Sequence, residues 1–137
     1  MKKYLNISLI YAIVAMAGGV FYREFTKLNG FSGVTALGKV HTHLFLLGMI
    51  MFLIVALFAA HSQLNEQKQF RIFLITYNIG VPLTAAMFIV RGIPQVLGVT
   101  LSAGTSAAIS GIAGIGHILT ALGIVLLILS FKKIAKN

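Results

Sequence analysis

Three histidines stand inside otherwise apolar stretches of this chain: His41 and His43, two residues apart, and His117. A neutral imidazole offers one lone pair to a metal and one N–H to a hydrogen-bond acceptor. Imidazoles on facing helices of a bundle can therefore hold haem iron axially, or bind copper or zinc. Polar side chains within a bilayer are expensive, so such residues have either a partner or a task. The competing reading is packing alone, each ring bonded to a carbonyl or hydroxyl across a helix contact. The chain has no cysteine, which excludes disulfides, thiolate metal sites and cysteine nucleophiles, and it has no HExxH spacing.

The spacing of the histidines divides their roles. Residues two apart on a helix point about 200° apart, so His41 and His43 cannot share a face. The helical neighbours of His41 are Gly38, Phe45 and Gly48, and small residues mark close helix contact. His41 is thus the candidate for the interior, and His43 is directed to lipid headgroups or a neighbouring subunit. Around His117, at helical spacing, stand Ser110, Ala113, Gly114, Thr120 and Ala121. A stripe of small residues leaves room for a second helix or for something flat and bulky. At 1.5 Å per residue the three rings lie roughly 9, 12 and 15 Å from the outer ends of their spans, in one layer about 6 Å thick. His41 and His117 are the candidate metal ligands, with His43 as the substitute.

The remaining polar residues have humbler readings. His61 is an interfacial residue at the inner end of its span. Tyr77 and Asn78 read as hydrogen-bonding between helices, and Asn6, Ser8 and Tyr11 decorate the first span. Arg23 and Arg91, at the outer rims of their spans, read as snorkelling to headgroups. The sharper alternative pairs one of them with Glu24 or with an anionic group such as a haem propionate. No carboxylate lies within an apolar run, and no catalytic residue is assigned. The five phenylalanines Phe45, Phe52, Phe58, Phe73 and Phe88 read as packing and lipid contact.

The elements that must position these residues follow from composition. Of 137 residues, 58% are hydrophobic and 9% charged, against roughly a quarter charged in soluble domains. This excludes a soluble globular domain, a disordered chain and a soluble nucleic-acid binder. Stretches free of charged residues cover 4–22, 40–65, 72–90 and 92–131. About 20 apolar residues cross a bilayer core as a helix. The expectation is an all-α integral membrane four-helix bundle in one domain, 1–137, with spans at about 4–22, 36–60, 72–90 and 107–131. Residues 92–104, with Pro94 and Gly98, read as an apolar loop rather than a fifth crossing.

The net charge of +9 becomes an orientation signal in such a chain. Lys2, Lys3, Lys68, Arg71, Lys132, Lys133 and Lys136 fall on one side, and Arg23, Lys27, Lys39 and Arg91 on the other. The excess places both termini in the cytoplasm of a bacterial membrane. A signal peptide is the competing reading of the N-terminus, with Lys2-Lys3 before an apolar stretch and Ala15-Met16-Ala17 as the cleavage site. Four spans form a thin shell, so a homo-oligomer is expected, with lipid as the surroundings and no nucleic-acid partner.

Three segments carry a resemblance: Gly18-Gly-Val-Phe-Tyr-Arg-Glu-Phe25, Val40-His-Thr-His-Leu-Phe-Leu-Leu-Gly-Met49 and Ile109-Ser-Gly-Ile-Ala-Gly-Ile-Gly-His117. Through them the chain resembles an uncharacterised family of small four-helix bacterial membrane proteins, a domain of unknown function. More locally, residues 41–48 are similar to the second helix of subunit I in haem–copper oxidases and nitric oxide reductases. That resemblance implies His41 as a ligand of b-type haem, and a trimer of four-helix arcs as a mimic of the twelve-helix oxidase subunit. The chain departs from the oxidases in lacking an adjacent His-His pair and a His-Tyr crosslink pattern. The expected function is a small membrane protein binding haem b or a metal through its intramembrane histidines, with Arg23 or Arg91 steadying an anionic cofactor edge. The alternatives are a non-catalytic accessory or assembly subunit and a small oligomeric transporter. An intramembrane carboxylate, common in proton-coupled transporters, is absent.

Overall fold

The computed structural model describes residues 1–135 and is all-α, with no strand among those residues. Its four long helices are α1 (Lys2–Leu28), α2 (Gly38–His61), α3 (Lys68–Leu97) and α4 (Ala103–Ile134). Each is long and apolar enough to cross a bilayer. Lys136 of the charge tally lies outside the described residues. The start of α1, the end of α4 and the short 3₁₀ turn Leu64–Glu66 gather at one end of the bundle, here the terminal end. There the Tyr4 hydroxyl donates to Asn65 Oδ1. The loops 29–37 and 98–102 lie at the other, far end. The first of them is tied to the end of α3 by Thr35 Oγ1 donating to the Gly92 carbonyl at 3.1 Å. The Ala36 amide also donates to Gln95 Oε1, at 2.8 Å.

The helices overrun the spans read from hydropathy, because the polar residues at their ends are themselves helical. The largest difference is at 92–104, expected as a loop. Helix α3 continues through Pro94 to Leu97 and only residues 98–102 are loop. Pro94 removes one hydrogen bond near the end of the helix, where few remain to be lost. Gly92 is not a breaker either. A Cβ there would stand 2.6 Å from the Leu37 backbone nitrogen, so glycine is required by close approach to the far loop. The real stop is Gly98, in the left-handed region at φ 67, with the Val99 amide bonding back to the Pro94 carbonyl at 3.0 Å. Helix α4 starts on Ser102, whose hydroxyl accepts from the Thr105 amide at 3.1 Å.

The helices pack in chain order, α1 on α2, α2 on α3 and α3 on α4, without comparable contact between α1 and α4 among the described residues. The bundle is therefore an open arc. The α3–α4 contact is the most intimate. A Cβ at Gly80 would meet the Thr120 backbone nitrogen at 2.6 Å, and one at Gly116 would meet Thr84 Oγ1 at 2.6 Å. Backbone approaching backbone is how helices associate in lipid, where hydrophobicity gives no net drive.

Helices α1 and α2 meet instead as side chain on glycine, with the Tyr11 ring lying on Gly48. Gly48 belongs to a π-helical segment, Leu44–Ile50, within α2. Such widened turns leave carbonyls for outside donors, and the Ser8 hydroxyl donates to the Met49 carbonyl at 2.8 Å. A buried aromatic column of Phe52, Phe70, Phe73 and Tyr77 fills the terminal half of the arc.

Candidate imidazole groove

Near the far end, α3 presents Phe88, Arg91 and Gln95 on one face, spaced three and four apart. Beside them lies a groove of about 450 Å³, walled by the start of α2 and by Ser110, Ala113, Gly114 and His117 of α4. His43 stands against the Phe88 ring edge-on, centroids 4.8 Å apart, and His117 approaches the same ring at 6.1 Å. His43, expected at headgroups or a subunit contact, is therefore turned toward α3. His117 remains exposed on the groove side. Its stripe of small residues is open there: a Cβ at Gly114 would meet nothing within 4 Å.

Both rings are held alike. His43 Nδ1 lies 2.9 Å from the Lys39 carbonyl, and His117 Nδ1 lies 2.8 Å from the Ala113 carbonyl. A carbonyl only accepts, so in each ring Nδ1 carries the proton and donates. When the ring is neutral, Nε2 keeps a free lone pair. Imidazoles that bind metals are usually oriented by such a bond from the opposite nitrogen.

The groove is also cationic. Arg91 Nη2 donates to the Ser106 carbonyl at 3.2 Å and to Ser110 Oγ at 2.7 Å. That fixes the guanidinium while its other N–H groups remain available. Lys39 Nζ reaches within 5.9 Å of the Phe88 ring centroid. Neither acidic side chain of the sequence is in the groove lining.

His41 goes elsewhere. Its ring stacks on Tyr22 of α1 at 6.2 Å and 17°, and a Cβ at Gly19 would lie 3.6 Å from it. His41 thus lies at a close contact between α1 and α2. Its buried Nδ1 has no partner. The structure does not bring His41 and His117 to one place within the chain, and no group of three metal-binding side chains converges among the described residues.

Arg23 pairs with Glu24 at 3.8 Å, both exposed, and lies apart from the groove. His61 is exposed at the end of α2. Asn78 Oδ1 accepts from the Tyr11 hydroxyl at 3.3 Å, the interhelical bond expected of it, whereas the buried Tyr77 hydroxyl has no partner.

Sequence reasoning passed over Phe88, read only as packing, and Lys39 and Gln95. The available signal was that Phe88, Arg91 and Gln95 share one face of α3. The missing one was which face of α2 would meet them.

Residues 1–134 match the family described as "Protein of unknown function (DUF2871)", and the chain belongs to it. No curated protein and no solved structure matches the chain.

Proposed function

We propose that this family member is a membrane protein that binds a transition-metal centre, haem b or a bare ion, in the far half of its bundle. Its ligands would be His117 and His43, with Arg91 and Lys39 beside them for an anionic edge. The observation that carries this reading is the matched pair of imidazoles. Each has Nδ1 committed to a carbonyl of its own helix, leaving Nε2 free, and both stand against Phe88.

The lining suits haem in part. Met87, Phe88, Ala113 and Gly114 offer apolar surface, and the two cations offer partners for propionates. Haem here would supply one-electron transfer or the binding of a small gas. The chain's own residues hold the proton on Nδ1, aim Nε2 and neutralise an anionic rim. Both imidazoles stand against the Phe88 ring, but His117 lines the groove and His43 does not. The open edge of the groove at His117 therefore favours completion by a second copy, in keeping with a homo-oligomer. The excess of cations at the terminal end supports placing that end in the cytoplasm of a bacterial membrane.

The test is the absorption spectrum, oxidised and reduced, with metal analysis, of protein produced with haem supplementation. Bound chromophore or stoichiometric metal is expected, lost in His117→Ala and kept in His61→Ala. A colourless, metal-free protein overturns the proposal.

A second reading, an accessory subunit that packs on a partner helix, is favoured by one observation. The α4 surface carrying Gly104, Ala107, Ala108 and Gly111 is exposed, and a Cβ at either glycine would meet nothing within 4 Å. Co-purification of a partner, with no change on removing any histidine, would support it.

A further inference from the structure

On the opposite side of α3 from the imidazole groove, a cleft of about 660 Å³ separates α1 from α3 and is floored by Val40 and Leu44 of α2. We propose that it holds one acyl chain of an anionic phospholipid whose headgroup lies at the terminal end of the bundle.

The lining is hydrocarbon throughout, apart from Tyr11 and Asn78. Those two have satisfied one another. The Tyr11 hydroxyl donates to Asn78 Oδ1 at 3.3 Å, and Asn78 Nδ2 donates to the Leu74 carbonyl at 2.8 Å. The cleft thus offers a guest little but dispersion contact, which suits a saturated or isoprenoid chain and not a polar group. No imidazole lines it. Along α1 it extends from Ile7 to Phe21, about 21 Å at 1.5 Å per residue. That exceeds the roughly 15 Å of one leaflet's hydrocarbon, so a whole chain fits lengthwise. The cleft opens sideways at the depth where lipid tails are the solvent.

Charge decides which end receives the headgroup. One turn beyond Ile7 on the same face of α1 is Lys3, and two turns beyond Asn78 on the same face of α3 is Arg71. Lys2, Lys68, Lys132 and Lys133 stand at the same end, against Glu66 as its one acidic side chain among the described residues. At the other end the lining face of α1 runs into Glu24, already paired with Arg23. The far end carries Arg23, Lys27, Lys39 and Arg91 against Glu24, a smaller excess than the six cations against Glu66 at the terminal end, so charge favours an anionic headgroup at the terminal end. Each cation near a membrane surface is worth about 1 kcal/mol toward anionic lipid, roughly fivefold in occupancy.

The experiment is native mass spectrometry of the full chain, delipidated in detergent. It is then offered phosphatidylglycerol or phosphatidylcholine with identical acyl chains. One phosphatidylglycerol per chain should survive washing, with phosphatidylcholine retained at least about fivefold less. Ala86→Phe fills the cleft at an exposed position and should abolish retention, and Ala17→Phe does the same from the opposite wall. Lys3→Gln with Arg71→Gln should erase the preference for the anionic lipid. Circular dichroism establishes that each variant is folded. Equal retention of the two lipids, or retention unchanged in both filled variants, overturns the proposal. So does a dimer that dissociates when the cleft is filled, which would make a second copy the occupant.

Discussion

The two hollows beside α3 contain polar groups in a membrane protein, yet they treat them oppositely. In the cleft toward α1, the Tyr11 hydroxyl donates to Asn78 Oδ1 and the Asn78 amide donates to the Leu74 carbonyl, amid a lining otherwise of hydrocarbon. At the groove toward α4, His117 in its lining and His43 against the same Phe88 ring each spend one nitrogen on their own helix and keep the other. Arg91 is anchored by two bonds and retains further donors. A buried polar residue is therefore a poor guide to function until its remaining valence is counted. The same helix serves both environments because 78, 82, 85 and 89 lie on one face and 88, 91 and 95 on the other.

The most drastic way to break this contrast is to remove the wall the groove depends on. Gly80→Leu forces a side chain into the Thr120 backbone at 2.6 Å, and Gly116→Leu forces one into Thr84, its hydroxyl at 2.6 Å and its backbone nitrogen at 3.0 Å. A loss of about 3 kcal/mol is expected, read as a collapsed thermal transition or aggregation in detergent. Gly111→Leu, where a Cβ meets open space, should leave the transition unmoved.

Next in size is the ligand itself. His117→Ala should weaken retention of haem or added metal by tenfold or more, measured by equilibrium titration, while Tyr11→Phe in the cleft leaves it unchanged. Equal losses in both variants would erase the distinction between the hollows.

Phe88→Ala sharpens the groove rather than breaking it. Removing the ring lets the two imidazoles approach one another, so zinc affinity should rise about tenfold, a gain of roughly 1.4 kcal/mol. The gain should vanish when His43→Ala is added. The smallest effect belongs to the cleft: Asn78→Leu removes one interhelical bond, worth about 0.6 kcal/mol in a bilayer, and should lower the thermal transition slightly without altering metal retention.

Much of the fold was legible because lipid makes the rules strict. A backbone crossing a bilayer must satisfy itself, so each apolar run of sufficient length had to be a helix. The error at 92–104 came from treating glycine and proline as punctuation. Gly92 is there because Leu37 leaves no room for a Cβ, a contact between residues 55 positions apart that no local pattern records. The site was half legible. Helix geometry separated His41 from His43, and small neighbours sent His41 to a close helix contact. That His43 and His117 would stand against the same Phe88 ring, and that His41 would stack on Tyr22, depended on which face of α2 turned to α1.

By itself the sequence determined four apolar helices, their order, the charged ends and the three histidines carried on two of the helices. These follow from the energetics of hydrocarbon and from helix periodicity, which act residue by residue. Tertiary structure decided that the helices form an open arc, that α3 divides two unlike hollows, and which imidazoles stand against Phe88. Those outcomes rest on where glycine lets helices touch, as Gly48 of the π-helical segment does under Tyr11. Such steric fits between distant segments are settled only when the helices meet.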